Sequence, residues 1–234
     1  MSDSLGTENP ALSAARPGAR TTLAWPTAAS AVLCIAAAIG LLPFWLVFIF
    51  KPLTTLLIIA YAWKRGADVP LQRRLILAGL VLSLAGDVFL MWPKEGFLPG
   101  LVAFLLAHLA YIAAFCMPVR FAARPWIFVL YALVAAGLLS VLWKDVPPAL
   151  RVPVVAYVVC LAAMAAQAAV WWRSASGNSH ARWAALGGML FMASDTLLAF
   201  NKFATPLPLS ALWILATYWL AQWCIASAMA GSKK

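Results

Sequence analysis

Two aspartates interrupt long apolar stretches of this chain. Asp87 follows LVLSLAG and Asp195 follows GMLFMAS, whereas the other acidic residues lie near the N-terminus or in short polar segments. A charged side chain at the centre of a bilayer costs at least about 2.5–3.5 kcal/mol, so it needs a partner or a water-filled cavity. Two carboxyl groups in unequal surroundings can act as a proton donor and a stabilising anion, as in glycosidases. The two aspartates are therefore the first candidates for catalysis.

Other polar side chains also lie within the apolar segments: Lys51, His108, Tyr111, Asn201, Tyr218 and Gln222. At a rise of about 1.5 Å per helical residue, Lys51, His108 and Tyr218 fall at the same level as the aspartates in a core about 30 Å thick. Tyr218 and Gln222 share a helix face because they are four residues apart. We expect one polar pocket lined by the second, third, fourth, seventh and eighth helices.

Each candidate also has a structural alternative. The aspartates could be tied to Lys51 or to backbone groups, and Lys51 could extend its ammonium group to the membrane interface. His108, Tyr218 and the remaining polar residues could serve as hydrogen bonders between helices. The residue types alone leave both interpretations open.

The composition requires lipid as the solvent. Apolar residues make up 65% of the chain and charged residues only 10%, against about 25% charged in a soluble domain. A soluble globule of this size could not bury so much hydrocarbon, which excludes a cytosolic enzyme, a DNA-binding domain and a disordered chain. The net charge of +10 comes from Lys and Arg scattered over short loops. We interpret this charge as a topology signal and expect no nucleic-acid partner.

The sequence gives no sign of a metal or another cofactor. All cysteines lie inside apolar stretches without C-x-x-C spacing, which argues against a disulfide framework: Cys34, Cys116, Cys160 and Cys224. His108 and His180 are the only histidines, so a three-histidine zinc site cannot be built. A metal held by the two aspartates and His108 is the weaker alternative. We expect the protein to work without a cofactor.

Prolines, glycines and charged residues divide the chain into stretches long enough to cross a bilayer, which takes about 20 apolar residues. We place eight such stretches at 24–42, 44–63, 73–92, 97–117, 125–143, 149–171, 183–203 and 208–230. The predicted fold class is an all-α integral membrane bundle with eight transmembrane helices. Pro52 is expected to kink the second helix or delay its start. Residues 1–22 and 231–234 are predicted tails, and 23–230 is the predicted transmembrane domain.

The basic residues predict the orientation of the bundle. An even number of spans puts both termini on one side of the membrane. The opposite side carries five of the 17 basic residues, namely Lys51, Lys94, Lys144, Arg151 and Lys202, which leaves twelve on the side of the termini. The positive-inside rule makes that richer side cytoplasmic. Helices rich in Ala, Leu and Trp with short loops suggest a bacterial inner membrane.

The segments around the two aspartates are similar to each other. GLVLSLAGDVFLMWPK (79–94) aligns with GGMLFMASDTLLAFNK (187–202), so that Asp87 meets Asp195 at an offset of 108 residues. This offset corresponds to four helices and predicts two parallel four-helix repeats. Chance similarity between two apolar helices is the alternative, because the first two helices show no match in the second half.

An ordered set of segments resembles the YhhN family of eight-helix membrane proteins, which includes lysoplasmalogenases. The segments are KPLTTLLIIAYAW (51–63), LAGLVLSLAGDVFLMW (77–92), FLLAHLAYIAAF (104–115), GGMLFMASDTLLAFNKF (187–203) and ATYWLAQWCIASA (216–228). Each segment alone is a weak apolar string. The order K-P, G-D, A-H-x-x-Y, S-D-x-x-L-A-x-N and Y-x-x-x-Q is specific, and the resemblance covers roughly residues 30–230.

The resemblance implies hydrolysis of the vinyl ether bond of lysoplasmalogens to a fatty aldehyde and glycerophosphoethanolamine or glycerophosphocholine. A vinyl ether resists base, but protonation of its outer alkene carbon gives an oxocarbenium ion that water attacks. Such a reaction needs an acid, an anion and a group that directs water. We therefore assign catalytic roles to Asp87, Asp195, His108 and Tyr218 and substrate-binding roles to Lys51, Tyr111, Asn201 and Gln222. The expected partners are a lysophospholipid and the bilayer.

Two other classes of function stay open on the residues alone. A small proton-coupled transporter of a lipid or an amphipathic solute would also use intramembrane Asp and Lys and a parallel repeat. A structural or receptor-like helical protein would need both aspartates only for folding.

Overall fold

A computed structural model describes residues 23–92 and 94–229. These residues form eight α-helices and a short 3₁₀ helix, without a strand. The helices are α1 (Ala24–Ala38), the 3₁₀ turn (Phe44–Leu46), α2 (Val47–Trp63), α3 (Pro70–Phe89), α4 (Phe97–Cys116), α5 (Pro125–Leu142), α6 (Pro148–Ser174), α7 (Ser179–Phe203) and α8 (Ser210–Ser227). The prediction of an all-α fold is confirmed. The predicted tails, 1–22 and 231–234, lie outside the described residues.

Several helix ends differ from the prediction for local reasons. α1 ends before Gly40, whose φ of 87° is a left-handed conformation that stops a helix. α3 begins at Pro70, since proline suits the first turn of a helix. It ends at Phe89, so Asp87 lies in its last turn. α7 begins earlier than predicted because the side chain of Asn178 accepts the backbone N–H groups of the first turn.

The distribution of polarity is the reverse of that in a soluble protein. Large apolar side chains such as Trp25, Leu133 and Val152 are exposed, whereas Gln167 and Gln222 are wholly buried. Five helical segments of the described residues are long and apolar enough to cross a membrane: Phe44–Trp63, Phe97–Cys116, Pro125–Leu142, Pro148–Ser174 and Ser179–Phe203. Polar groups that avoid the outer surface are expected where lipid is the solvent. The chain is a multi-pass membrane protein.

The α3–α4 and α7–α8 pairs pack most extensively, and glycine makes the approach possible. A Cβ atom on Gly79 would lie 2.2 Å from Cε1 of Tyr111, and one on Gly86 would lie 2.5 Å from the ring of Phe104. On the other pair, a Cβ atom on Gly187 would lie 3.0 Å from the backbone oxygen of Ala221. Small residues at such contacts let two helices come close in a membrane. The closely packed α3 and α4 hold Asp87 and Tyr111 in place.

We expect Gly79→Ala to destabilise the protein by about 1–3 kcal/mol, because the new methyl group overlaps the Tyr111 ring. Gly137→Ala in α5 is the matched control. Among the described residues, and apart from the chain neighbours and the helix's own backbone, no atom lies within 4 Å of the added carbon at Gly137. This change should therefore be neutral or slightly stabilising. Thermal unfolding in detergent measures both. Equal unfolding temperatures for the two variants would contradict the close packing of α3 on α4.

Candidate active site

Asp87 is the centre of a buried polar network. Its side chain is 2% exposed. Its Oδ2 accepts hydrogen bonds from the Thr55 hydroxyl at 2.7 Å and from the Tyr218 hydroxyl at 2.8 Å. Lys51 Nζ lies 3.8 Å from the Oδ1 atom. Lys51 and Thr55 meet the same carboxylate because they are one helical turn apart on α2. Asp87 thus ties α2, α3 and α8 together.

The network continues from Tyr218 towards α4. Gln222, one turn further along α8, donates from Nε2 to the Tyr218 oxygen at 3.2 Å and accepts the Tyr111 hydroxyl at 2.8 Å. The Tyr111 and Ser83 hydroxyls lie 3.4 Å apart, which returns the network to α3. Five of the sequence-predicted residues belong to this network: Lys51, Asp87, Tyr111, Tyr218 and Gln222. Thr55 was not predicted from the sequence, although its spacing from Lys51 could have indicated it.

Asp195 has different surroundings. Its Oδ2 accepts a hydrogen bond from the Tyr157 hydroxyl of α6, and no hydrogen bond joins it to Asp87 within the described part of the chain. Tyr218, which bonds to Asp87, instead packs on apolar rings: the centroids of Phe104 and Phe191 lie 5.8 and 5.6 Å from its own. Tyr157 was not predicted, since a single tyrosine in an apolar helix carries no signal of its partner. The two carboxyl groups therefore belong to separate hydrogen-bond networks.

His108 lies between these networks. It is wholly buried, and neither ring nitrogen has a hydrogen-bond partner among residues 23–92 and 94–229. Its ring centroid is 4.6 Å from that of Phe191 and 5.3 Å from that of Tyr157. A buried polar group without a partner is costly, so its presence calls for an explanation. A water molecule or a substrate atom would supply the missing partner.

Asn201 lies outside both networks. Its Oδ1 accepts the backbone N–H of Leu207 at 3.0 Å, a contact across the loop between α7 and α8. The side chain therefore fixes the conformation of this loop. In the described ranges, no group of three or more His, Cys, Asp or Glu could hold a metal ion.

A largely apolar groove lies between α4, α5, α6 and α7. Asp195 and Tyr157 line this groove, and Asp87 does not. The rest of its wall is almost entirely aliphatic and aromatic, with Lys202 and Phe203 at one end. The groove can accept a hydrocarbon chain and present it to a carboxyl group.

We expect Asp87→Asn to lower the free energy of unfolding by about 3–5 kcal/mol, because it leaves the Lys51 ammonium buried without a counterion. The double variant Asp87→Asn/Lys51→Met should recover part of this loss, since removing both charges removes the unpaired one. Thermal unfolding in detergent measures the three proteins. Unfolding of Asp87→Asn at the wild-type temperature would show that the ion pair does not stabilise the bundle.

Known proteins resemble this chain over most of its length. Lysoplasmalogenase TMEM86B of Homo sapiens is 34% identical over 178 residues, which cover 76% of this chain and 73% of the human protein. Lysoplasmalogenase TMEM86B of Sus scrofa is 34% identical over 192 residues, covering 82% and 79%. The lysoplasmalogenase of Mycobacterium tuberculosis is 34% identical over 139 residues, covering 56% and 51%. No solved structure gives a significant match.

The family profile matches the same region. It extends over residues 46–229 and includes every residue of the Asp87 network, the Asp195–Tyr157 pair and His108. The resemblance inferred from the ordered segments is confirmed by this match and by the two mammalian relatives. This chain belongs to the YhhN family.

Proposed function

We propose that the protein is a lysoplasmalogenase, which hydrolyses the vinyl ether of a lysoplasmalogen to a fatty aldehyde and glycerophosphoethanolamine or glycerophosphocholine. Relatives that are similar over more than two thirds of the chain are named as lysoplasmalogenases. The observation on which the proposal depends most is the position of Asp195, a carboxyl group on the wall of a largely apolar groove. The transporter alternative is not favoured, because these relatives are named as enzymes.

In this proposal Asp195 is the acid. An acid catalyst must carry a proton before the substrate arrives, and apolar surroundings disfavour the charged form of a carboxyl group. Asp195 gives its proton to the outer alkene carbon, whose π electrons form the new C–H bond. The positive charge is then shared by the inner carbon and the ether oxygen, beside the carboxylate that remains. The hydrogen bond from Tyr157 holds the Oδ2 side of this carboxyl group and so orients it.

Water must then add to the oxocarbenium ion. The ring nitrogen of neutral His108 that carries no proton can accept a hydrogen bond from that water, since neither ring nitrogen has a partner among the described residues. The water oxygen bonds to the inner carbon, and its released proton returns to Asp195 through Tyr157 or His108. The hemiacetal collapses to an aldehyde and a free alcohol on the glycerol. The acid is restored without a cofactor.

The geometry supports a positioning role for Asp87. Its carboxylate is satisfied by Thr55, Tyr218 and Lys51 and does not line the groove. Through Tyr218 it fixes the ring against which Phe104 and Phe191 pack. Membership of Asp87 in the reacting pair stays a prediction. The substrate-binding roles assigned to Lys51, Tyr111, Asn201 and Gln222 also stay predictions.

The number of spans, their orientation and the internal repeat are also proposed. We infer eight transmembrane spans, both termini in the cytoplasm and, from the composition, an inner-membrane location. Two parallel repeats are supported by the order of packing, since α1 to α4 pack in sequence and α5 to α8 do the same. The contact of α4 with α6 has its counterpart in the contact of α8 with α2. Asp87 and Asp195 would then occupy equivalent places in α3 and α7.

We expect Asp195→Asn to lower aldehyde formation from lysoplasmenylethanolamine about 10²–10⁴-fold, because the amide cannot supply the proton. The assay uses purified protein in detergent and a saturated ether analogue, which should give no aldehyde. Asp68→Asn, in the exposed loop between α2 and α3, is the matched control and should keep full activity. Undiminished turnover by a folded Asp195→Asn protein would exclude this acid, and no aldehyde from folded wild type would exclude the function.

We expect His108→Phe to reduce turnover at least tenfold while leaving the unfolding temperature unchanged or raised. The substitution removes two buried nitrogens that lack partners and keeps an aromatic ring against Phe191. Aldehyde formation and thermal unfolding are measured on the same preparation. A lower unfolding temperature with unchanged turnover would show that His108 is structural.

A further inference from the structure

Lys202 lines one end of the groove, and Arg151 lies beside this end; each cation packs on an aromatic ring. Lys202 Nζ is 4.9 Å from the ring centroid of Phe97, and both residues line the groove. The guanidinium carbon of Arg151 is 4.9 Å from the ring centroid of Trp143. Arg151 also donates from Nε to the backbone oxygen of Val146, another lining residue, at 3.4 Å. This end of the groove, the mouth, therefore has one positive charge on its wall and a second beside the lining residue Val146.

We propose that Lys202 and Arg151 bind the phosphate of the lysolipid, an inference that rests on the proposed function. Lysine offers a compact point charge and arginine a planar pair of donors, and both suit phosphate oxygens. Packing on aromatic rings limits the side-chain freedom that binding would otherwise remove. The phosphate is the charged group common to the ethanolamine and choline forms of the substrate.

The spacing along the helices agrees with the length of the substrate. Lys202 follows Asp195 by seven residues on α7, which places it on nearly the same face about 10 Å along the axis. Arg151 precedes Tyr157 by six residues on α6, or about 9 Å. In a lysoplasmalogen, about seven covalent bonds join the phosphorus to the outer alkene carbon, and they span about 8 Å when extended. A phosphate at the mouth thus brings the vinyl ether beside Asp195.

A phosphate at the mouth also predicts where the hydrocarbon chain of the substrate lies. Beyond Asp195, the groove continues along Leu161, Met192 and Phe104, where the hydrocarbon chain would lie. The reacting bond is then fixed from both sides, by the phosphate at the mouth and by the chain in the apolar part. A lipid that lacks the phosphate would lose one of these two anchors.

A binding measurement tests this site separately from the chemistry. The probes are a saturated 1-O-alkyl-glycerophosphocholine and the matching 1-O-alkylglycerol, neither of which contains the reacting bond. Their dissociation constants are measured with the purified full chain in detergent by isothermal titration. Wild type should prefer the phosphate-bearing probe at least about tenfold, the size of one charge-assisted hydrogen bond. Lys202→Gln and Arg151→Gln should each reduce this preference about five- to tenfold, and Lys202→Arg should keep most of it.

Lys64→Gln is the matched control, since Lys64 is an exposed cation beyond the end of α2 at the opposite end of the bundle. This variant should keep the wild-type preference. Equal affinity of wild type for the two probes, or an undiminished preference in both Lys202→Gln and Arg151→Gln, would overturn the phosphate site. Aldehyde formation is assayed in parallel on the same preparations. Absent aldehyde with an intact phosphate preference would reject the enzymatic function alone, whereas aldehyde without that preference would reject this site alone.

Discussion

A charged pair buried in an apolar bundle is the constraint on which this structure depends. Lys51 Nζ and Asp87 Oδ1 lie 3.8 Å apart, and 11% and 2% of these side chains are exposed, in a protein that exposes many large apolar side chains. The removal of two charges from water is offset only if each finds partners with good geometry. Thr55 and Tyr218 donate the hydrogen bonds that complete the partners of Asp87. These contacts fix the mutual positions of α2, α3 and α8. Gly79 then lets α4 approach closely enough for Tyr111 to join through Gln222.

Asp195, the second buried carboxyl group, has fewer hydrogen-bond partners than Asp87. Asp195 has a hydrogen bond from Tyr157 and faces a groove, whereas Asp87 is enclosed. Phe104 and Phe191 pack on Tyr218, and His108 packs between Phe191 and Tyr157. Two aspartates in similar sequence contexts thus acquire different environments, because their neighbours on α8 and α6 differ. One environment suits a stable anion, and the other suits a group that exchanges a proton.

Much of the fold and of the Asp87 network could be predicted from the sequence. The number of helices follows from the apolar runs and their breaks. The polar network follows because a buried charge needs partners, and only the polar groups at the same depth can reach it. Helix ends were less predictable, because they depend on caps such as Asn178 and on the backbone at Gly40. The groove could not be predicted, since it arises from how α5 packs beside α6 and α7 rather than from periodicity. Asn201 matched a motif, yet its structural contact is with the following loop.

The groove has a consequence for the fate of the products. Its wall is mostly hydrocarbon, and Lys202 and Arg151 give its mouth a positive charge. On the proposed function, a long-chain aldehyde would leave into the bilayer, while the glycerophospho-alcohol would leave into water. The two products would then be in different phases, which would make the reverse reaction slow. The reaction would then be driven forward by partition, and a membrane-disturbing lysolipid would be removed without any transporter for its products.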